Sequence, residues 1–142
     1  MLHFKEAVES FDSYLAIAKE PVLRVAGLIE KTDAQIGLKD WEAAEKTAKD
    51  GLVVATEGKY NGELRLRVGE IEVGRGNSTK ALQIFEAIPV TLEDDDICPR
   101  ALERAIQIRR NLGQDQEVKR LENQLRSKYP EYLQKKKKLA QP

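Results

Sequence analysis

Small or apolar residues recur along this chain at a constant spacing of 37 residues. Ala7 is followed at that spacing by Ala44, Ala81 and Val118. Two neighbouring sets with the same spacing are also mostly apolar. The first is Phe11, Ala48, Phe85 and Glu122, and the second is Tyr14, Gly51, Ile88 and Leu125. Such a period is typical of folds that repeat one supersecondary unit, in which each unit buries its apolar side against the next.

The composition favours helices over strands, because charged residues make up 34% of the chain and aromatic residues only 6%. The net charge is zero, which gives no general attraction to nucleic acid or acidic lipid. The charges are nevertheless uneven: Pro99–Pro142 holds 12 Lys or Arg against 5 Asp or Glu, whereas Tyr60–Cys98 holds 4 against 8. No apolar run is long enough to cross a membrane, so we expect a soluble protein without membrane insertion.

The segment 61–77 (NGELRLRVGEIEVGRGN) is open to two interpretations. Apolar residues at every second position follow an Asn-Gly pair, which is a common β-hairpin pattern. On a helix, Leu64, Val68 and Ile71 would instead share one face. We favour the helix because of the segment's place in the 37-residue period, although each interior glycine costs about 1 kcal/mol.

Apolar periodicity and capping residues predict seven principal helices and a short eighth. Pro21 suits the first turn of a helix, and Asp40 suits the position that caps one. We expect Pro89 to end a helix and Asp95 or Asp96 to cap the next. The predicted ranges are 3–19, 21–36, 40–55, 61–75, 78–88, 97–112 and 115–128, followed by 131–139.

The stretch LRVGEIEVGRGNSTKALQIFEAIP resembles the tetratricopeptide repeat, a helix–turn–helix unit with a glycine between its helices. Val68-Gly69 takes the place of the usual Leu-Gly, and Gly76 lies at the turn. Ala81 and Phe85 supply the small and aromatic residues of the second helix.

The units on either side match this pattern less well. The later unit has Leu112-Gly113 and Pro130, but Glu122 stands where an aromatic residue is usual. The earlier unit has Trp41, but its glycine, Gly37, lies two places early. The resemblance therefore implies degenerate units of about 37 residues.

The resemblance implies an all-α fold, an α-solenoid of stacked antiparallel helix pairs. The implied repeat domain covers 1–130, with a short capping helix and a basic tail over 131–142. Within the repeat domain we expect a half unit at 3–19 and full units at 21–55, 61–88 and 97–130.

In this family the first helix of each unit lines a concave groove that binds peptides. Transferring those positions to this chain gives partner-binding candidates in two units, and they are Glu63, Leu66, Glu70, Val73, Arg100, Glu103, Gln107 and Arg110. The alternative is that Leu66 and Val73 only pack against adjacent first helices.

The first predicted helix matches a second helix of a repeat, so its apolar side lacks a partner within its own unit. Either the chain is part of a longer array, or that side pairs with another molecule. The candidates for self-association, including a homodimer, are Phe4, Phe11 and Tyr14.

Catalytic, metal and nucleic-acid sites have weak support in the sequence. His3 has no metal-ligand partner three or four residues away, and the acids at 94–96 lack the glycine and distal glutamate of a calcium loop. The single cysteine, Cys98, suits a small buried residue at a helix start. We read the lysines at 135–138 as a solvated tail, and we predict no cofactor, no metal and no nucleic-acid partner.

The sequence therefore predicts a non-catalytic interaction module or scaffold that binds a peptide or partner protein in its groove. Two alternatives stay open: a structural role through self-association, and a regulatory domain of an enzyme or transcription factor. The ending YPEYL also resembles the closing repeats of bacterial cell-envelope proteins of the superfamily, which leaves cytoplasm and periplasm equally open.

Overall fold

The structure, a computed structural model, describes residues 2–141, and this range is helical with no strand. It contains eight helices: α1 Leu2–Ile17, α2 Pro21–Gly37, α3 Trp41–Val54, α4 Gly58–Gly74, α5 Ser78–Thr91, α6 Ile97–Asn111, α7 Asp115–Lys128 and α8 Pro130–Ala140. The all-α prediction is thus confirmed, and so is a helix rather than a hairpin in 61–77, where α4 continues to Gly74. Met1 and Pro142, which belong to the predicted ranges 1–130 and 131–142, lie outside the described residues.

The turns that follow α2, α4 and α6 share one set of main-chain hydrogen bonds. After α2, Leu38 N donates to Ala34 O, Lys39 N to Ile36 O, and Asp40 N to Gln35 O. The same three bonds occur 37 and 74 residues later, and all nine N···O distances lie between 2.8 and 3.1 Å. The recurrence in the sequence is therefore also a recurrence of the backbone.

The ends of α1, α3, α5 and α7 follow the same period. Each helix is closed by one amide that donates to the carbonyl four residues earlier, at 2.8–3.0 Å, and these amides belong to Ala18, Ala55, Leu92 and Tyr129. Consecutive closing residues are again 37 positions apart.

A residue in the left-handed backbone region occupies the centre of each of the three turns. Gly76 (φ 82°) and Gly113 (φ 70°) adopt this conformation at little cost because they lack a Cβ atom. In the first turn the same place is taken by Lys39 (φ 58°). The repeat thus keeps its turn geometry where the expected glycine is absent.

Gly37 instead serves packing, as does Gly74 at the equivalent place in α4. A Cβ atom on Gly37 would lie 2.5 Å from the ring of Phe4, and one on Gly74 would lie 2.3 Å from the ring of Trp41. Phe4 and Trp41 are themselves 37 residues apart, so the same ring-on-glycine contact joins α1 to α2 and α3 to α4.

A second pair of equivalent positions exchanges large and small residues. Between α1 and α2 the large residue is Tyr14, which lies against Gly27. Between α3 and α4 the small residue comes first, and Gly51 lies against Leu64. In both places one large side chain lies against one glycine, and the exchange explains why the sequence recurrence is faint there.

The chain divides into two compact units, and the boundary falls inside α5 between Ala81 and Leu82. In unit 1 each helix packs against the next, and α2 also contacts α4. The unit 1 core contains Val25, Ile29, Ala48 and Leu64. This packing of neighbours in sequence order is the local arrangement of an α-solenoid.

In unit 2, α6 packs against α7 and α7 against α8. The largest fully buried side chains of this unit come from three helices, and they are Phe85, Ile88, Ile97, Leu102 and Leu121. Cys98 is also buried, and its thiol donates to the carbonyl of Leu92 at 3.2 Å. The predicted role of Cys98 as a small buried residue near a helix start is confirmed.

Two predictions about the ends of helices are wrong. Pro89 lies inside α5, which continues to Thr91, because near a helix end a proline removes only one main-chain bond. Asp96 precedes α6, but its side chain makes no capping bond. Asp94 Oδ1 instead accepts hydrogen bonds from the amides of Asp96 (2.9 Å) and Ile97 (2.7 Å).

Candidate functional site

Unit 2 carries a groove bounded by α6, α7 and α8, with a volume of about 340 Å³. We call it the unit 2 groove. Its lining residues combine apolar and charged side chains, and they are Glu103, Ile106, Gln107, Arg110, Glu122, Leu125, Arg126, Leu133 and Lys136.

The floor of the unit 2 groove is apolar. Ile106 of α6 and Leu125 of α7 are buried there, and Leu133 of α8 is half-buried. The helical period on each element directs these side chains towards the joint between the helices, with polar residues at the edge. A floor of this kind can receive the apolar side chains of a partner segment.

Glu103 ties α8 to α6 at one side of the groove. Its Oε2 atom accepts a hydrogen bond from the Tyr132 hydroxyl at 2.9 Å, and its Oε1 atom accepts one from Lys136. Burial and the bond to this carboxylate raise the pKa of Tyr132 to about 12. The hydroxyl therefore keeps its proton and donates at neutral pH.

Positive groups are the more accessible charges at the rim. Arg110 pairs with Glu122, and the side chains are 58% and 32% exposed respectively. Lys136 pairs with Glu103, with side-chain exposures of 58% and 22%. Arg126 is exposed as well. In each ion pair, the carboxylate is withdrawn and the cation faces solvent.

Unit 1 has a pocket of about 350 Å³ between α2 and α4, which we call the unit 1 pocket. Arg67 on its wall donates to Asp33 through Nε (2.9 Å) and Nη2 (3.0 Å), and it also pairs with Glu63. Here the order of exposure is reversed, because Arg67 is 18% exposed and Asp33 is 43% exposed. The unit 1 pocket nevertheless presents charges of both signs, because its lining includes the exposed Glu30 and Lys59, whereas Asp33 lies outside the lining.

The four partner-binding candidates of α4 are not gathered in one place. Glu63 lines the unit 1 pocket and is engaged by Arg67. Leu66 is only 6% exposed, so its side chain is withdrawn from solvent. Glu70 and Val73 are half-buried and do not line the pocket.

Three of the four candidates of α6 do lie together. Glu103, Gln107 and Arg110 line the unit 2 groove. Arg100, one turn earlier, pairs with Asp96 at 3.0 Å and does not line it.

Sequence reasoning missed the groove residues of α7 and α8, including Leu125, Arg126, Leu133 and Lys136. It considered only first helices as lining elements and treated the lysines near the end as a solvated tail. The spacing of Leu133 and Lys136, three residues apart on a helix, could have revealed a shared face.

The self-association candidates on α1 differ in how far they are covered. The rings of Phe4 and Tyr14 lie against glycines of α2, and the Tyr14 hydroxyl donates to Leu23 O at 3.2 Å. Phe11 is half-buried, whereas Ala48 and Phe85 at the equivalent positions are fully buried. Phe4 and Tyr14 are themselves 43% and 36% exposed, so all three candidates leave apolar surface of α1 accessible.

Among residues 2–141 no three His, Cys, Asp or Glu side chains are grouped so as to hold a metal ion. None of the helices in this range is long and apolar enough to cross a membrane. No protein-family model, no curated protein and no solved structure matches the chain.

Proposed function

We propose that this chain is an interaction module of the tetratricopeptide type, in which the unit 2 groove holds a segment of a partner protein without catalysis. The observation that carries the proposal is the groove itself, which combines an apolar floor with a polar rim on three helices. Three side chains that the family resemblance implies for partner binding, Glu103, Gln107 and Arg110, meet in it. The recurrence of main-chain bonds every 37 residues supports the repeat type.

The groove suits a short segment better than a small molecule. It is open along three helices, and most of its polar groups already bond to one another. Affinity would then come from a few apolar anchors on the floor, with the rim excluding water and setting orientation.

Selection from a displayed library of random peptides tests this proposal. Leu133→Asp places a charge in the floor, and Leu139→Asp is the matched control because Leu139 is highly exposed on the same helix. We expect the wild type and Leu139→Asp to enrich the same peptides and Leu133→Asp to lose them. Circular dichroism checks that the helix content of all three proteins is equal. The proposal is wrong if no peptides are enriched or if all three proteins enrich the same ones.

Self-association through α1 is a second candidate, favoured by the incomplete cover of Phe11. If it operates, sedimentation equilibrium will show a dimer whose fraction rises with concentration and falls in Phe11→Asp. A Glu9→Gln variant, altered at an exposed position of the same helix, controls for changes in α1. A monomer at all concentrations excludes this candidate.

A further inference from the structure

We infer that the segment bound in the unit 2 groove is acidic, with carboxylates that meet the rim and apolar residues that reach the floor. This inference rests on the proposed function and names the chemistry of the partner. It follows from the observation that the positive side chains around the groove are more exposed to solvent than the negative ones.

The first step concerns the two ion pairs at the rim. The side chains of Arg110 and Lys136 are each 58% exposed, whereas their partners Glu122 and Glu103 are 32% and 22% exposed. An exposed ion pair is weak, and an approaching ligand meets its more accessible member first. The accessible member is the cation in both pairs.

The second step concerns the carboxylate of Glu103. It already accepts hydrogen bonds from Tyr132 and Lys136, one on each oxygen. Both donors come from α8, so this negative charge is engaged inside the groove wall and offers little to a ligand. Arg126, exposed on α7, adds positive charge on the opposite wall.

The third step concerns the surroundings of the groove. Lys135, Lys137 and Lys138 are exposed on α8, outside the lining residues. Their summed field attracts anions over distances of about 10 Å and increases the rate of encounter. The unit 1 pocket has no such run of lysines, and its exposed lining charges, Glu30 and Lys59, are of opposite sign.

The apolar floor distinguishes an acidic peptide from a nucleic acid. Ile106, Leu125 and Leu133 offer no partner to a phosphate backbone, and among the described residues that line the unit 2 groove none is aromatic, so a base has no ring on which to stack. A peptide supplies both carboxylates and apolar side chains. We therefore assign the groove to a peptide.

Three fluorescein-labelled peptides test the inference. Each has leucine at every fourth position, and the remaining positions are glutamate, glutamine or lysine. Fluorescence anisotropy with the wild-type chain gives the Kd of each. We expect the glutamate peptide to bind about tenfold more tightly than the glutamine peptide, because three accessible cations each add a modest attraction. The lysine peptide binds most weakly, and added salt narrows the difference.

A pair of charge reversals locates the effect. Arg126→Glu changes a residue that lines the groove, and it is expected to raise the Kd of the glutamate peptide about fivefold. Lys119→Glu changes an exposed residue of α7 outside the lining, and it is expected to change this Kd by less than about twofold. Leu133→Asp is expected to abolish binding of this peptide. If both charge reversals have the same effect, the attraction is general and the inference is wrong.

The remaining outcomes separate the inference from the proposed function. Equal affinity for the glutamate and glutamine peptides, or no binding of the glutamate peptide, overturns the inference, while the library selection still decides the proposed function. A labelled mixed-sequence oligonucleotide that binds more tightly than the glutamate peptide, with the same loss in Arg126→Glu, also overturns it.

Discussion

The turn between α4 and α5 and the turn between α6 and α7 have the same backbone, but they differ in charge at one equivalent position just before the turn. This position, which we call the central side chain, is Glu72 in α4 and Arg109 in α6. In the first, the carboxylate of Glu72 is 1% exposed and accepts hydrogen bonds from Arg75 (3.0 Å) and Asn77 (2.9 Å). Lys80 lies 3.2 Å from the same carboxylate. Donors from the turn and from the first residues of α5 thus surround one buried anion.

In the second turn a cation takes the equivalent position. Arg109 lies 37 residues after Glu72, and it donates to Glu86 at 2.9 Å and to Gln114 at 2.6 Å. In both turns the residue five positions later hydrogen-bonds to this side chain: Asn77 bonds to Glu72, and Gln114, the equivalent of Asn77, bonds to Arg109. In the turn after α2 the same position holds Gln35, whose buried Oε1 has no hydrogen-bond partner among the described residues.

The comparison teaches that the backbone of the turn, and not the charge at its centre, is what the units share. An anion, a cation and a neutral amide all occupy one position while the nine main-chain bonds stay constant. The partners differ as well: Glu72 is bonded by Arg75 and Asn77, whereas Arg109 bonds to Glu86 of α5 and to Gln114. A repeat can therefore diverge in sequence while its geometry is retained.

The largest expected difference between the two turns is in the free energy of unfolding lost when Glu72 or Arg109 is replaced by alanine. Glu72→Ala should lower the free energy of unfolding by about 3 kcal/mol, because it removes a buried side chain together with its charge-assisted contacts to Arg75, Asn77 and Lys80. Arg109→Ala should cost only about 1 kcal/mol, because Glu86 is 25% exposed and keeps a second cation, Arg120, at 3.9 Å when Arg109 is removed. Urea denaturation of both variants measures the difference, and equal costs would contradict the comparison.

The second largest expected difference is the cost in stability of an alanine at the last residue of α4 compared with the last residue of α6. Gly74→Ala should cost about 1.5 kcal/mol, because its Cβ atom would lie 2.3 Å from the ring of Trp41. Asn111→Ala, at the equivalent exposed position of α6, should change stability by less than about 0.5 kcal/mol. Thermal unfolding gives both values, and the fluorescence of Trp41, the single tryptophan, should shift in Gly74→Ala alone.

Acid should lower the free energy of unfolding through the two carboxylates that bond to Arg75 in the turn after α4, which are Glu45 and Glu72. Hydrogen bonds from Lys49 and Arg75 lower the pKa of Glu45 from 4.5 to about 2. Burial raises the pKa of Glu72, but the bonds from Asn77, Lys80 and Arg75 outweigh it and the net direction is downward. A lowered pKa stabilises the fold above about pH 4.5, and this contribution is lost as the pH falls towards 2.

Urea midpoints measured across that pH range test this expectation. The wild type should lose stability on acidification, and Glu45→Gln should lose less because its share is already absent. An unchanged slope in Glu45→Gln would contradict the assignment.

The smallest expected effect is a gain at the turn after α2. Lys39 holds the left-handed conformation that Gly76 and Gly113 hold in the other turns. Lys39→Gly should raise the free energy of unfolding by about 0.5 kcal/mol, because it removes the strain of a Cβ atom at positive φ. Gly113→Ala should have the opposite sign. Calorimetry of the two variants checks both directions.

The helices could be predicted from the sequence, because apolar spacing and capping residues are local properties. The 37-residue period predicted a helix in 61–77, although the local alternation of apolar residues favoured strands. The end of α5 was mispredicted because the effect of Pro89 depends on how many main-chain bonds follow it. The site was only partly predictable, since Glu103, Gln107 and Arg110 share one helix face, whereas Leu125 and Leu133 join them only through packing.

The constant set of turn bonds has a consequence for how such a chain can grow. A duplicated stretch of 37 residues joined at a turn would meet, at both junctions, the same amide and carbonyl pairs that are already present. A stretch one residue shorter or longer would misalign every pair at one junction. Gain or loss of whole modules by unequal recombination is therefore structurally tolerated, while small insertions inside a turn are not.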